Sequence, residues 1–190
     1  MGTITLSRHG EPALSRKVRL TATGYRDWWA RYEEGGLKEG QTPPPGLAAA
    51  ADAAAMIIVS TRRRAIETAR ALAAERDVRL DDALIEAPLP PPAFPAWIRL
   101  SPRHWGVIAR FWWWFFNHHD GQETRAEAQL RANTVALELA RLAASGEDVL
   151  VVAHGFFNTM VGRSLKRLGW RCTDDQGFRY WSARRFEKPR

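Results

Sequence analysis

Several residues able to do phosphoryl chemistry stand close to the start of the chain. Residues 4–7 have the pattern of a short strand, which leads directly into Arg8-His9-Gly10. Arginine presents a planar set of donors that matches phosphate oxygens, and histidine can act as a covalent nucleophile. Gly10 permits a sharp turn, and the carboxyl edge where such strands end is where open α/β sheets bind ligands. A tripeptide recurs by chance, so its meaning depends on partners elsewhere in the chain.

Two further predicted strands end in residues of the same kind. The apolar residues 56–59 lead into Ser60 and Arg64, where a helix begins whose free N–H groups favour an anion. The continuous apolar residues 149–153 are typical of the middle of a parallel sheet and end at His154. If these strands are parallel neighbours, two arginines, two histidines and a helix N-terminus share one pocket. That pocket suits a dianionic phosphoryl group.

The segments between these strands predict the elements that must hold the strand ends in place. Thr21 or Thr23 can cap a helix whose aromatic residues 25, 28, 29 and 32 lie on one face. The other predicted helices cover 48–55, the residues after Ser60 to about 74, part of 96–119, 123–144 and 157–168. Residues 178–186 alternate as an edge strand does. The pattern predicts a single domain around a mostly parallel sheet.

One segment is unusually rich in proline and tryptophan, at about residues 88–120. Part of it is predicted to form a helix with an apolar stripe facing the core: Trp105, Ile108, Trp112 and Phe115. Trp113 and Trp114 lie largely off that stripe. In the helix over 123–144, the apolar face is predicted from residues 130, 135, 137, 139 and 142.

The composition limits the classes of protein that remain. With 190 residues and a mass of 21.5 kDa, the chain suffices for one well-buried domain. A single cysteine, Cys172, excludes an internal disulfide framework, and together with the lack of a leader or membrane-spanning run it predicts a cytoplasmic protein. The net charge of +7 and pI near 10.3, with basic residues at 184, 185, 188 and 190, fit an anionic partner. A nucleic-acid binder is an alternative, but no recognisable reading motif supports specific binding.

The ordered set of motifs resembles one known family, the histidine phosphatase superfamily that includes the cofactor-dependent phosphoglycerate mutases. The matching pieces are Arg8-His9-Gly10-Glu11, Leu20-Thr21 with Gly24, Ser60 with Arg64-Ala65 and Thr68-Ala69, Leu84 with Glu86, and Val151-Val152-Ala153-His154-Gly155. They span roughly residues 4–165. The resemblance implies a phosphoglycerate mutase-like fold, a three-layer α/β/α sandwich with a mostly parallel central sheet, as a single domain over residues 1–190.

The resemblance also implies a role for each matching residue. His9 takes the phosphoryl group and forms a phosphohistidine, while Arg8 and Arg64 clamp the phosphate oxygens and His154 provides a further donor. Glu86 gives a proton to the leaving alkoxide and later activates water. Positive neighbours oppose protonation of His9, which keeps its imidazole nucleophilic. Because arginines neutralise the phosphate charge, neither a metal nor a cofactor is expected.

The chain departs from the family pattern at several positions. Ser15 stands where many members have an asparagine that contacts phosphate, and we expect its hydroxyl, with Gly155, to contact the substrate. Phe156 replaces the usual second glycine. The stretch between His9 and Leu20 is shorter than in the mutases, which favours hydrolysis of a small-molecule phosphate monoester. A phosphoglycerate mutase-type transferase and a non-catalytic phospho-ligand or protein-binding module are the alternatives.

In this family the stretch after the acid residue commonly covers the active site, so residues 88–120 are expected to form a cover with an apolar wall. The position of Trp113-Trp114 off the core stripe suggests a substrate with a bulky apolar or aromatic group. The alternative is that these aromatic residues all belong to the core. Aromatic residues beside arginines also favour peripheral contact with a membrane surface.

Overall fold

The computed structural model describes residues 1–189, and Arg190, the last residue of the predicted domain and of the basic C-terminal group, lies outside the described residues. The six strands are β1 (Ile4–Arg8), β2 (Met56–Ser60), β3 (Arg79–Asp81), β4 (Val149–Ala153), β5 (Arg171–Asp175) and β6 (Ala183–Glu187). The helices are α1 (Ala22–Glu34), α2 (Pro45–Ala53), α3 (Arg63–Leu72), α4 (Pro102–Phe116), α5 (Arg125–Ala144) and α6 (Gly155–Arg167), with one 3₁₀ turn at Asp82–Leu84.

The strands form one sheet in the order β3-β2-β4-β1-β6-β5. β4 lies between β2 and β1 and pairs with both in parallel, with Val151 opposite Ile58 on one side and Leu6 on the other. All five residues of β4 are buried, as its continuous apolar run predicts. The carboxyl ends of β1, β2 and β4 therefore meet at one edge of the sheet.

Helices cover both faces of the sheet. Alternate residues of β4 point to opposite faces, and because all of them are apolar, both faces must be shielded from water. Val149 and Val151 pack in a core cluster with α5 and α6. Leu150 and Val152 pack in another cluster with α2 and α3. The prediction of a three-layer α/β/α sandwich with a mostly parallel sheet is confirmed.

The prediction of an edge strand at residues 178–186 is wrong in its place and bounds. The strand is β6, Ala183–Glu187, and it lies between β1 and β5, antiparallel to both. The sequence does not predict β5 because its residues, Arg-Cys-Thr-Asp-Asp, are largely exposed and carry no apolar alternation. Its presence moves the edge of the sheet one strand outwards.

The predicted inward stripe of α4 is correct for Trp105 and wrong for Phe115. The buried residues are Pro102, Trp105, Ala109 and Trp113, whereas Phe115 is 66 % exposed. Trp113 is fully buried, and its indole N–H donates to the carbonyl of Glu123. Because α4 carries large apolar residues on every side, its periodicity cannot identify the inward face, and the small Ala109 allows close packing there.

A similar correction applies to α5, whose buried face is built mainly from alanines. Val135 and Leu139 are buried as predicted, whereas Leu130 and Leu137 are 67 % and 57 % exposed. Ala128, Ala132 and Ala136 are fully buried instead. Small side chains let the helix lie close to its neighbours, so side-chain size outweighs hydrophobicity in setting its rotation.

Two helical glycines give a test of the packing between α6 and the sheet. A Cβ at Gly162 would lie 2.8 Å from the ring of Phe186, whereas a Cβ at Gly46 in α2 has nothing within 4 Å. We expect Gly162→Ala to lower the free energy of unfolding by about 1–3 kcal/mol through overpacking. We expect Gly46→Ala to raise it by about 0.5–1 kcal/mol. Urea unfolding of both variants checks this; an unchanged Gly162→Ala protein would contradict the tight contact.

Candidate active site

The sheet brings the predicted histidines together at the carboxyl edge of its parallel strands. His9 follows β1 and His154 follows β4, and their ring centroids are 5.2 Å apart. Arg64 lies in the first turn of α3, after β2, and is fully buried between them. Arg8, Glu86 and Gly155 line the same cavity. One physical cause places them all, namely that neighbouring parallel strands end on the same side of the sheet.

The ring of His9 is neutral, with its lone pair on Nε2. Its Nδ1 lies 2.7 Å from the carbonyl oxygen of Gly10, which can only accept, so Nδ1 carries the proton. Nε2 accepts from the Nε–H of Arg64 at 3.3 Å. Burial lowers the pKa of His9 well below 6.5, and the charges of Arg64 and Arg8 lower it further. His9 is thus held in the form that can attack an electrophile.

His154 is held in the opposite tautomer. Its Nδ1 lies 3.2 Å from a terminal nitrogen of Arg64, which can only donate, so Nδ1 is the acceptor. The Nε2–H then donates to the hydroxyl oxygen of Ser60 at 2.9 Å. Burial lowers the pKa of His154 well below 6.5, with the nearby charge of Arg64 as the next cause. Arg64 therefore sets the protonation pattern of His154, and the Ser60 hydroxyl accepts the remaining N–H.

All five N–H donors of Arg64 have partners. Nε donates to His9, and one terminal nitrogen donates to the carbonyls of Tyr32 and Glu33 at 2.9 and 3.3 Å. The other terminal nitrogen donates to His154 and, at 2.8 Å, to the Glu33 carboxylate. A phosphate that binds Arg64 must therefore replace one of these contacts.

Glu33 is a site residue that the sequence motifs do not identify. Its carboxylate lies 2.8 Å from Arg64 and 2.9 Å from Arg62, and so balances two positive charges beside the histidines. It stands at the end of α1, thirty-one positions before Arg64 along the chain. Only the spacing of aromatic residues 25, 28, 29 and 32 hinted that this helix packs near the site.

Residues near the C-terminus contact the side chain of Arg8. One of its terminal nitrogens donates to the carbonyl of Phe178, and its guanidinium lies 4.4 Å from the ring centroid of Tyr180. Its Nε is buried without a hydrogen-bond partner among the described residues. A Cβ at Gly155 would lie 3.2 Å from Arg8, so the glycine leaves room for this arginine at the cavity floor.

Glu86 reaches the cavity from the loop after the 3₁₀ turn. Its carboxylate accepts from the backbone N–H groups of Phe156 and Phe157 at 3.2 and 2.9 Å, at the start of α6. The free N–H groups of a helix start favour such a negative group. Glu86 and His9 line the same cavity.

The cavity has a volume of about 390 Å³ and a polar floor beneath apolar walls. The walls come from α1, from α4, from the start of α6 and from loops: Tyr25, Trp28, Trp29, Tyr32, Leu89, Pro102, Gly106, Val107, Phe156 and Phe178. Arg16, Arg103 and Arg110 complete the lining. Burial lowers the pKa of Arg110 to about 10, although Glu86 partly offsets this. The space can take a phosphate together with an apolar group.

Ser15 does not line the cavity. Its side chain is exposed, and its hydroxyl accepts from the backbone N–H of Lys17 at 3.1 Å. Arg16 lines the cavity instead, with a hydrogen bond of 2.9 Å to the hydroxyl of Tyr32. The prediction that Ser15 contacts the substrate is therefore not supported, and Arg16 is the residue of this loop that lines the cavity.

The tryptophans singled out in the segment 88–120 do not line the cavity. Trp113 is buried in the core, and Trp114 packs on Phe156 with a centroid distance of 6.0 Å without lining the cavity. Trp28 and Trp29 of α1 supply the tryptophan surface of the wall. Within residues 1–189, no group of three or more His, Cys, Asp or Glu side chains is placed to hold a metal ion.

A parallel sheet with two histidines and two arginines at its carboxyl edge is typical of the phosphoglycerate mutase-like class. A family model described as histidine phosphatase superfamily (branch 1) matches residues 4–179. The chain belongs to this superfamily, and the predictions of family, fold and phosphatase class are confirmed. Among curated proteins, none matches the chain.

Solved structures share the fold over most of the chain. A mutant phosphoserine phosphatase from Entamoeba histolytica, in complex with phosphoserine, matches with a TM-score of 0.56 and 17% identity, covering 88% of this chain and 81% of that one. A mycobacterial glucosyl-3-phosphoglycerate phosphatase, in complex with VO3, matches with a TM-score of 0.56 and 22% identity, covering 88% and 83%. At these identities the likeness concerns the fold.

The two buried histidines make stability depend on pH. Both have a pKa below 6.5 in the folded state, so the unfolded chain binds more protons as the pH falls through 6.5. We expect the free energy of unfolding to be level above pH 7 and to fall between pH 6.5 and 5, by up to about 1.4 kcal/mol per pH unit for each histidine.

Urea unfolding across this pH range measures the effect. In His9→Asn the free energy of unfolding should change less steeply with pH, because one of the two buried imidazoles is gone. The difference in slope should correspond to about one proton fewer taken up on unfolding. Carboxylates with a lowered pKa, such as Asp175, also stabilise the folded protein, but their contribution is lost only at more acidic pH. A stability that stays level between pH 6.5 and 5 would show that the histidines are not held neutral.

Proposed function

We propose that this protein hydrolyses phosphate monoesters of small molecules through a phosphohistidine at His9. The observation that supports this most directly is the buried, neutral imidazole of His9, whose Nε2 lone pair faces Arg64 in a cavity that Arg8 also lines. A dianionic phosphoryl group fits there because it can accept from the guanidinium donors that now contact neutral groups, namely the two imidazoles for Arg64 and the Phe178 carbonyl for Arg8. Charge-assisted hydrogen bonds to phosphate are stronger than those to imidazole.

In the first step, Nε2 of His9 attacks phosphorus and the bond between phosphorus and the ester oxygen breaks. The leaving oxygen takes the electron pair and a proton from Glu86, whose carboxyl group lines the cavity. Glu86 must therefore be protonated when the ester binds, and it leaves this step as a carboxylate. The proton on Nδ1 stays directed at the Gly10 carbonyl, which stabilises the positive charge that develops on the ring. Arg8 and Arg64 stabilise the charge on the equatorial oxygens.

In the second step, water attacks the phosphohistidine and gives its proton to Glu86. The bond between Nε2 and phosphorus breaks, inorganic phosphate leaves, and His9 returns to its neutral form. His154 lies beside the phosphoryl position, and its Nδ1 must release Arg64 before Arg64 can bind phosphate fully. The family resemblance implies that His154 donates a hydrogen bond to phosphate. This role is a proposal, since its N–H now donates to Ser60.

We further propose that the preferred ester carries an apolar or aromatic group. Trp28 and Trp29, with Leu89 and Phe156, provide flat apolar surface above the phosphate floor. Residues 88–120 act as the cover, since Leu89, Gly106 and Val107 belong to that segment and line the cavity. We place this reaction in the cytoplasm, which a chain with one cysteine, Cys172, fits.

Trapping the covalent intermediate tests the reaction. We expect wild-type protein, mixed with a phosphate monoester that is radiolabelled on phosphorus and quenched in alkali, to carry label on His9. His9→Asn should carry none and should lose at least about a thousandfold in kcat/KM. His104→Asn is the matched control, since His104 is exposed and does not line the cavity.

The products separate the competing activities. Release of inorganic phosphate equal to the alcohol released supports the phosphatase. Transfer of the label to a second alcohol, without free phosphate, would identify a mutase-type transferase instead. An unlabelled protein that binds but does not turn over any ester in the panel would identify a phospho-ligand binding module.

The apolar wall gives a separate prediction about the substrate class. We expect the wild-type protein to prefer an aryl phosphate over 3-phosphoglycerate in kcat/KM. Trp29→Ala should lower kcat/KM for the aryl phosphate about 10- to 100-fold, because a large aromatic contact is lost. Turnover of a short alkyl phosphate should change less than about threefold.

Trp97→Ala is the control for this substitution, since Trp97 is 81 % exposed and does not line the cavity. It should leave kcat/KM unchanged for both the aryl and the alkyl phosphate. Equal losses for aryl and alkyl esters in Trp29→Ala would show that Trp29 supports the fold of the site and does not select the substrate. A clear preference of the wild type for 3-phosphoglycerate would contradict the apolar substrate class.

A further inference from the structure

Helix α4 has apolar side chains on the surface that faces away from the core. We call Val107, Phe111, Phe115 and Phe116 the outer face of α4. Their exposed fractions are 66 %, 46 %, 66 % and 64 %. The ring of Phe111 lies 4.8 Å from that of Phe115 and 5.9 Å from that of Phe116, so the three phenyl groups form one continuous patch. Contiguous exposed apolar surface of this kind marks an interaction site.

Positive charge is concentrated on and beside α4. The sequence from residue 88 to residue 119 contains no Asp or Glu, whereas it contains Arg99, Arg103 and Arg110, of which the last two line the cavity. Beside the C-terminal half of α4, the guanidinium groups of Arg125 and Arg163 lie 5.1 and 5.6 Å from the ring centroid of Trp114. Within residues 1–189, neither of these two arginines forms a salt bridge, so both charges are available to an external anion.

We propose that the outer face of α4 docks the protein onto a membrane surface rich in anionic phospholipid. Aromatic side chains favour the boundary between headgroups and acyl chains, and arginines beside them attract anionic headgroups. Within residues 1–189 no helix is long and apolar enough to cross a bilayer, so the contact is peripheral.

The charge around the patch favours lipid over a second copy of this chain. In a two-fold dimer through the outer face of α4, Arg103, Arg125 and Arg163 of both copies would approach one another. An anionic lipid surface has the complementary charge. Docking there would also place the cavity mouth beside the lipid, because Val107 belongs to both the outer face and the cavity lining.

Vesicle co-sedimentation tests the proposal, with vesicles of phosphatidylcholine alone and of phosphatidylcholine mixed with phosphatidylglycerol. We expect the full chain to bind the anionic vesicles at least about tenfold more strongly, and the binding to weaken with added salt. The double variant Phe111→Ser with Phe115→Ser should lose at least about tenfold of that affinity. Arg125→Gln with Arg163→Gln should lose about 25-fold, from roughly fivefold per arginine.

A matched control separates docking from general exposure of apolar groups. Leu130→Ser with Leu137→Ser removes two exposed apolar residues from α5 and should leave vesicle binding within about twofold. Turnover of a water-soluble phosphate ester should be unchanged in all three double variants, because none of the substituted residues lines the cavity. This readout also shows that the variants are folded.

Three results would overturn the proposal. The first is absence of binding to anionic vesicles, and the second is equal binding to both vesicle types. The third is a concentration-dependent dimer, seen by analytical ultracentrifugation, that the phenylalanine variant abolishes while vesicles bind nothing. That result would identify the outer face of α4 as an interface between copies of the chain.

Discussion

The buried guanidinium of Arg64 is the constraint on which the rest of the site depends. Its side chain is only 1% exposed, so its charge has lost most of the stabilisation that water gives. Glu33 and two backbone carbonyls at the end of α1 compensate for this loss. Its remaining donors can then only meet neutral imidazoles, since a protonated ring would add a second buried positive charge. The neutrality of His9 and His154 therefore follows first from their burial and then from the charge of Arg64 beside them.

This arrangement also links the phosphate floor to the apolar wall. The end of α1 anchors Arg64, and the same helix contributes Trp28 and Trp29 to the wall. Tyr25 joins α1 to α4, because its ring stacks on that of Trp105 with a centroid distance of 6.0 Å. A change in the rotation of α1 would move the wall and the guanidinium together, so substrate shape and phosphate orientation are set by one rigid element.

The sequence predicts well those features that depend on short stretches. The apolar runs of β1, β2 and β4 and the polar residues after them define the parallel sheet and the convergence of His9 with His154. Glu33 could not be found in this way, because no local pattern marks a carboxylate whose partner lies thirty-one residues away. The tautomer of His154 depends on its contact with Arg64, which only the packed structure defines.

The errors in α4 and the surface it exposes have one physical origin. A helix that carries large apolar residues on every side gives no period from which to read its orientation, and it necessarily leaves some of them in contact with solvent. Gly106 and Val107 face the cavity, while Phe111 and Phe115 face outwards. A membrane surface that displaces α4 when it binds the outer face must also alter the cavity wall. By thermodynamic linkage, a substrate bound against that wall must then change the affinity for the surface by the same factor.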